Sequence, residues 1–224
     1  MNIPVEEGAV AKAAAAHPPA TVHVVDDDDS VRRGLARLLR SAGLHVELFA
    51  SAEEFLEHAR AAPDGGGCLI LDIKMPGLDG LGLQDALGGI GCGLPIVFIS
   101  GHGDVPMSVR AMKRGAVDFL TKPFDGQVLL DAVALALRKD QALRLQRAAT
   151  AEARKREQTL TPRERDVMVR VIAGMLNKQI AAELGIEEGT IKVHRGRVMA
   201  KMGVRSVAEL VRLNAAGSLP GAVS

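Results

Sequence analysis

The sequence predicts an α/β domain with a five-stranded parallel sheet, then a helical linker and an all-α domain of four short helices. Short β-branched runs alternate with helical periodicity over residues 21–139. Residues 140–159 contain neither Gly nor Pro, which favours a continued helix. Residues 160–213 have no strand alternation and divide at three glycines into short helical segments.

Five strands and the helices between them follow from local patterns in the first section. The predicted strands are Val22–Val25, His45–Phe49, Cys68–Leu71, Ile96–Ile99 and Asp118–Leu120. The first helix is predicted from an apolar stripe with Ser30 as its N-cap, formed by Val31, Leu35, Leu38, Leu39 and Ala42. Further helices are predicted over Ala52–Ala61, Leu78–Leu87, Pro106–Arg114 and from Gln127 onward. This alternation is typical of a flavodoxin-like sheet, whose ligands bind beyond the carboxyl ends of the strands.

The composition excludes several classes of protein. With 47% hydrophobic and 25% charged residues, the chain is neither disordered nor fibrous. The longest apolar runs fall short of the roughly 18 residues of a membrane span. Residues 1–20 lack the features of a secretory signal, so we expect a soluble, cytoplasmic protein with a disordered leader. Cys68 and Cys92 could form a disulfide on counting alone, but reduced thiols are favoured.

Charge is distributed unevenly along the chain. Residues 21–140 hold 12 basic and 17 acidic side chains (−5), whereas residues 160–224 hold 10 basic and 6 acidic ones (+4). An acidic front and a basic back suggest two domains with different partners. The basic domain is the candidate for binding a polyanion.

Polar residues directly follow four of the predicted strands. Asp26–Asp29 follow the first strand, Asp72 the third, Ser100 the fourth, and Thr121 with Lys122 the fifth. Singly, such residues are common in turns and helix caps. Because the carboxyl ends of parallel strands converge, we expect one shared pocket, in which clustered carboxylates need a hard cation such as Mg²⁺. The lysine and the hydroxyl would help to hold phosphoryl oxygens, with Asp72 as the nucleophile that receives the group.

The basic section predicts a helix-turn-helix. Thr161 and Pro162 are the predicted N-cap and first residue of its first helix. Residues 177–195 contain a helix, a glycine turn and the start of a second helix, as in DNA-binding readers. The predicted core is Val167, Val171, Ile180, Leu184, Ile191, Val198, Met202 and Leu210. The opposite face of the second helix carries small and basic residues, Val193, Gly196, Arg197 and Ala200, with Lys192 at its edge. Basic residues on such a face can contact DNA, but they also commonly serve only to solvate a helix.

Residues 21–137 resemble the receiver domain of two-component response regulators. The stretches Ser100–Met107 and Ala116–Phe124 are especially similar to the FixJ subfamily. This resemblance implies that Asp72 accepts the phosphoryl group and that Mg²⁺ is bound by Asp26, Asp27, Asp72 and the backbone carbonyl of Lys74. It also implies a switch pair, Ser100 and Phe119, and a phosphate-pairing lysine, Lys122.

The resemblance bears on further residues. The run of four Asp allows two registers for the metal-binding pair, one position apart, and Ser100 stands where threonine is commoner. The Lys122–Pro123 bond is often cis in the family. Lys74 and His102 lie two residues past Asp72 and Ser100, where they could tune the attack of water on the acyl phosphate.

Residues 160–217 resemble the LuxR-type helix-turn-helix of FixJ-like and NarL-like regulators. The motifs are Leu160–Arg165, Asn177–Ala181, Thr190–Arg195 and Met199–Gly203. The resemblance places Lys192, Val193 and Gly196 in the major groove and Lys178, Arg195 and Arg197 near the DNA backbone. Backbone donors near Thr190 would meet a phosphate. His194 is interpreted as an internal packing residue.

Together these features predict a phosphorylation-gated transcriptional regulator, and not an enzyme beyond self-catalysed phosphoryl uptake and dephosphorylation. The expected partners are a histidine kinase, double-stranded DNA, a second copy after phosphorylation and, further, RNA polymerase. One alternative is a haloacid-dehalogenase-like phosphatase, which would need an acid where Lys74 stands. Another is a DNA-binding regulator whose receiver is a passive dimerisation module. The predicted segments are a leader (1–20), a receiver (21–139), a linker (140–159), a DNA-binding domain (160–217) and a flexible tail (218–224).

Overall fold

The computed structural model describes residues 20–62, 65–101 and 105–215, and the chain divides into two compact units between Leu143 and Arg144. Nearly all of the predicted leader and the whole of the flexible tail lie outside the described residues. None of the helices in the described ranges is long and apolar enough to cross a lipid bilayer.

The first unit is a five-stranded parallel sheet with the order β2-β1-β3-β4-β5, which confirms the predicted flavodoxin-like fold. Its strands are β1 (Thr21–Val25), β2 (His45–Phe49), β3 (Gly67–Asp72), β4 (Ile96–Ser100) and β5 (Asp118–Thr121). The helices are α1 (Asp29–Ser41), α2 (Ala52–Ala61), α3 (Gly80–Gly89), α4 (Val105–Lys113) and the first part of α5 (Gly126–Gln158). Cys68 and Cys92 are both buried free thiols, as favoured above.

Two apolar layers sandwich the sheet, because successive side chains of a strand point to opposite faces. On β1, Val22 and Val24 join one layer, whereas Val25 joins the other with Phe49 and Phe55. The sheet is consequently covered by apolar side chains on both faces.

Two predicted helix starts are wrong by two residues. Asp28, rather than Ser30, is the N-cap of α1, and its carboxylate accepts the Ser30 N–H at 2.8 Å. The third helix begins at Gly80 instead of Leu78, because Asp79 accepts the Gly82 N–H at 2.7 Å as its N-cap. Carboxylates are strong N-caps, and each one fixes where its helix begins.

The second unit contains α6 (Pro162–Ile172), α7 (Asn177–Leu184), α8 (Glu188–Met202) and α9 (Val207–Ala215). Thr161 caps α6 with Pro at the first position, as predicted. The predicted core residues are buried except Leu184, which lies partly exposed at the edge of the cluster. Asn214 belongs to the last turn of α9.

The predicted linker is part of α5. Asp140, the first residue of the predicted linker, is buried and accepts the Gly67 N–H at 2.9 Å. The first unit therefore extends past the boundary predicted at residue 139. Further along the helix, Ala153 and Glu157 are buried as well.

Candidate functional site

The carboxyl ends of the central strands bring two acids and one lysine into direct contact. Nζ of Lys122 donates to Oδ2 of Asp26 at 2.7 Å and to Oδ1 of Asp72 at 2.8 Å. Asp26 follows β1, Asp72 ends β3, and Lys122 follows β5, so residues up to 96 positions apart share one ammonium group. Asp26 and Asp72 are almost completely buried, with 1% and 5% of their surface exposed.

Burial and charge oppose each other in this pocket. Burial raises the pKa of Asp72, and the negative charge of Asp26 adds to the rise, although hydrogen bonding to Lys122 works against it. Burial alone would lower the pKa of Lys122, but its bonds to the two carboxylates outweigh burial and raise that pKa. The lysine therefore stays charged and neutralises only one of the two acids.

The four residues of the Asp run lie in four different environments. Asp26 lies in the pocket, and its Oδ1 accepts the Asp28 N–H at 2.9 Å. Asp27 is exposed beside it. Asp28 caps α1, and Asp29 in the first turn pairs with Arg33 at 2.8 Å. Asp26 is consequently the buried acid of the run, the first of the two positions predicted for the metal-binding pair.

The loop after β3 holds the Asp72 carboxylate in place. Its Oδ2 accepts the Lys74 N–H at 2.7 Å, while the Lys74 side chain is exposed. The start of α3 lies close to β3, because a Cβ at Gly80 would collide with the main-chain oxygen of Asp72. Glu53 supports the same loop by accepting the Leu78 N–H at 2.9 Å, and this bond lowers the pKa of Glu53. Sequence reasoning missed Glu53, since nothing in its own helix pattern points to a loop 25 residues away.

The predicted switch residues lie at the ends of β4 and β5. Ser100 is buried, and its main-chain oxygen accepts the Lys122 N–H at 2.7 Å. Phe119 is partly buried, with its ring centroid 6.5 Å from that of Phe98. The Lys122–Pro123 peptide bond is cis. His102 lies outside the described residues.

Most of the predicted DNA-contacting residues are exposed on α7 and α8. The exposed ones are Lys178, Thr190, Lys192, Val193, Gly196 and Arg197. Arg195 differs, because it is partly buried and its Nη1 donates to Oδ1 of Asn177 at 2.9 Å, which joins α8 to α7. His194 is partly buried, in keeping with a packing residue.

A partly buried ion pair links α6 to α8 in the second unit. Glu164 forms a capping box with Thr161 and accepts from Nζ of Lys201 at 2.6 Å. The bond to Lys201, together with the Thr161 N–H, holds the pKa of Glu164 at about 2. Sequence reasoning did not single out this pair, because only the packing of α6 against α8 brings the two residues together.

Both units match known families. Residues 22–134 match the response regulator receiver domain, and residues 158–214 match the bacterial regulatory proteins of the luxR family. The chain belongs to the two-component response regulators that join a receiver domain to a LuxR-type DNA-binding domain. Within this class it is a FixJ-like transcriptional regulator, in agreement with the resemblance noted in the sequence.

Individual relatives cover both units. The chain is 51% identical over 195 residues to nodulation protein W of Bradyrhizobium diazoefficiens, covering 87% of this chain and 85% of the relative. It is 44% identical to the transcriptional regulatory protein FixJ of Rhizobium meliloti, covering 88% and 96%. The solved structure of the response regulator StyR superposes with a TM-score of 0.76 at 52% identity, covering 88% of this chain and 99% of that one. A receiver domain implies a histidine kinase as partner, and receiver domains use Mg²⁺ for phosphorylation.

Proposed function

We propose that a histidine kinase phosphorylates this regulator on Asp72 with Mg²⁺ bound beside it, and that phosphorylation favours dimerisation and DNA binding through α8. The observation that carries the proposal is the sharing of Lys122 by two buried carboxylates. An unneutralised buried acid is costly to a fold, and its retention at the end of β3 favours a chemical role.

The residues of the pocket fit a hard divalent cation. Asp26 and Asp72 are buried carboxylates with one ammonium between them, and Asp27, the next residue after Asp26, adds an exposed carboxylate. Mg²⁺ prefers such oxygen ligands, and the backbone carbonyl of Lys74 is the proposed further ligand. When bound, Mg²⁺ supplies positive charge that stabilises the oxygens of the phosphoryl group during transfer.

Asp72 is the proposed nucleophile. One carboxylate oxygen forms a bond to the phosphorus of a phosphohistidine, and the phosphorus–nitrogen bond breaks so that the electron pair stays on the imidazole. Lys122 already bonds to Oδ1 of Asp72 and is placed to donate to a phosphoryl oxygen instead. The buried hydroxyl of Ser100 and the ring of Phe119 then rearrange, which shifts the population between two packings.

The surface of α4 supports dimerisation. Val105, Val109 and Met112 recur at helical spacing and are exposed by 72%, 45% and 45%. An apolar stripe of this kind is unusual on a solvated helix and suits a contact between copies. Two linked helix-turn-helix units gain affinity through effective concentration, without new contacts to each half-site. Contact of the DNA-bound dimer with RNA polymerase belongs to the same proposal.

The exposed face of α8 suits the major groove. Gly196 has no side chain, so the helix can approach DNA closely there, while Lys192 and Arg197 can reach base edges or phosphates. Lys178 and the backbone near Thr190 are placed for phosphates. Arg195 keeps further guanidinium N–H groups for a phosphate beside its bond to Asn177.

DNA affinity with and without acetyl phosphate tests the proposal. The probe is a duplex selected from a random-sequence library with the acetyl-phosphate-treated protein. We expect acetyl phosphate to raise the DNA affinity of the wild type at least tenfold, because a dimer binds two half-sites at once. The DNA affinity of Asp72→Asn should not change. Asp85→Asn, which removes an exposed carboxylate, should respond like the wild type. Equal affinity in every condition would contradict gating and favour a phosphorylation-independent dimerisation module.

A further inference from the structure

Three potential metal ligands meet beside the edge strand β2, away from the acidic pocket. His23 on β1 lies directly opposite Glu47 on β2, and His58 on α2 lies against both. Oε2 of Glu47 is 3.6 Å from Nδ1 of His23 and 3.6 Å from Nε2 of His58. One ligand atom from each residue lies within 4.8 Å of the other two.

His23 is the unusual member of this cluster. Its side chain is only 6% exposed, and its Nδ1 has no hydrogen-bond partner among the residues that the structure describes. The imidazole packs against the rings of Phe49 and Phe55, with centroid distances of 6.0 and 5.4 Å. A buried polar atom without a partner is costly, and here it faces a carboxylate that is too distant to accept a hydrogen bond.

Two of the three separations between these ligand atoms are close to those of a tetrahedral metal site, and the third, between the two imidazoles, is within 4.8 Å. Zinc binds imidazole nitrogen and carboxylate oxygen at about 2.0–2.2 Å, so the ligand atoms of a tetrahedral site lie about 3.3 Å apart. The two 3.6 Å separations need shifts of only a few tenths of an ångström to reach that value. We propose that His23, Glu47 and His58 bind one Zn²⁺ ion, with water as the fourth ligand.

The chemistry of the donors separates this site from the acidic pocket. Two imidazoles and one carboxylate suit zinc, whereas Mg²⁺ prefers oxygen ligands alone. Burial lowers the pKa of His23 to about 4, which keeps its imidazole neutral at physiological pH with the lone pair that a metal requires. The ion has a route in, because β2 is an edge strand and the side chains of Glu47 and His58 are 40% and 38% exposed.

Binding at this site would connect three elements of the first unit. β1, β2 and α2 each supply one ligand, so the complete ligand set exists only in the folded chain. An ion that binds the folded state selectively stabilises it. Zinc would therefore hold the edge strand β2 and the helix α2 against the centre of the sheet.

Titration of the full-length protein with Zn²⁺ and with Co²⁺ tests the proposal. Excess Mg²⁺ is kept present to occupy the acidic pocket, calorimetry measures the Zn²⁺ affinity, and the visible absorption of Co²⁺ reports tetrahedral coordination. His58→Gln and Glu47→Gln remove ligands at partly exposed positions, which avoids disturbing the buried His23. His45→Gln and Glu57→Gln are matched controls, since they change exposed residues near the cluster but outside it.

We expect the wild type and both controls to bind one Zn²⁺ per chain and to give the tetrahedral Co²⁺ spectrum. Each ligand variant should lose more than about 100-fold in affinity, because even residues that only orient a ligand contribute 10–100-fold. The melting temperature should rise with Zn²⁺ in the wild type and the controls alone. Absence of Zn²⁺ binding by the wild type, or equal affinity in His58→Gln and the wild type, would overturn the proposal.

Discussion

Lys122→Met should destabilise the first unit, because it removes the ammonium group shared by two buried carboxylates. The oxygens of Asp26 and Asp72 bond to the same nitrogen at 2.7 and 2.8 Å, so they lie no more than about 5.5 Å apart. At an effective dielectric constant near 20, two unit charges at that separation repel by roughly 3 kcal/mol. Removal of one partner from a buried ion pair costs about 3–5 kcal/mol, and the 24% exposure of the Lys122 side chain places the expected loss near 3 kcal/mol.

The loss should depend on pH in a defined direction. The pKa of Asp72 is already raised in the folded protein, and removal of Lys122 raises it further. The folded variant therefore takes up a proton as the pH falls, which relieves the repulsion. We expect the deficit in the stability of Lys122→Met to narrow as the pH is lowered from neutral, because the pKa of Asp72 is raised. Added Mg²⁺ should also reduce it.

Native-state hydrogen exchange of the full-length protein is the suitable assay, because the chain contains no Trp or Tyr for fluorescence. A loss of about 3 kcal/mol corresponds to protection of the β1 and β3 amides that is roughly 100-fold lower in Lys122→Met. Lys113→Met, which removes an exposed lysine from α4, should exchange like the wild type. Unchanged protection in Lys122→Met, or a deficit that widens at pH 5, would refute the reasoning.

Three further predictions concern the rest of the site. Glu164→Gln should lower the stability of the second unit by about 1–2 kcal/mol at pH 7. Because the pKa of Glu164 falls from 4.5 to about 2 on folding, the higher stability of the wild type should disappear as the pH drops through that range. Thermal melts of both proteins measure this, and a difference in melting temperature that stays constant with pH would contradict it. Gly80→Ala should slow labelling of Asp72 by acetyl phosphate through collision with its main-chain oxygen, whereas Gly88→Ala, where the described residues leave open space, should label normally. Arg197→Ala should weaken DNA binding and reduce the salt slope by about 1, and an unchanged slope would exclude a phosphate contact.

The pocket could be predicted from the sequence because its position follows from topology. Once β1, β3, β4 and β5 are recognised as parallel strands, the residues after them must meet at one edge of the sheet. The prediction of Ser30 as the N-cap of α1 was wrong because Asp28, two positions earlier, is an equally good N-cap residue. Local pattern alone does not choose between them, since the choice depends on where α1 packs.

Other contacts depend on how elements pack together, which sequence patterns do not specify. Glu164 and Lys201 meet only because α6 packs against α8. His23 occupies an ordinary alternating position in a strand, and its neighbours come from a paired strand and a covering helix. Each of these residues fits the pattern of its own helix or strand. The sequence around it therefore gives no sign of the contact that it makes.

The number of Asp residues between β1 and α1 also sets the rotational phase of α1. Asp26 occupies the pocket position and Asp28 the N-cap position. The helix therefore begins at position 29, whichever residue stands there. A deletion of one Asp would keep a pocket acid and a cap, yet every later side chain would turn by about 100° around the helix axis. Leu35 and Leu39 would then leave the apolar layer that they fill. The length of the run is thus constrained by the geometry of a neighbouring helix, independently of the charge that the run provides.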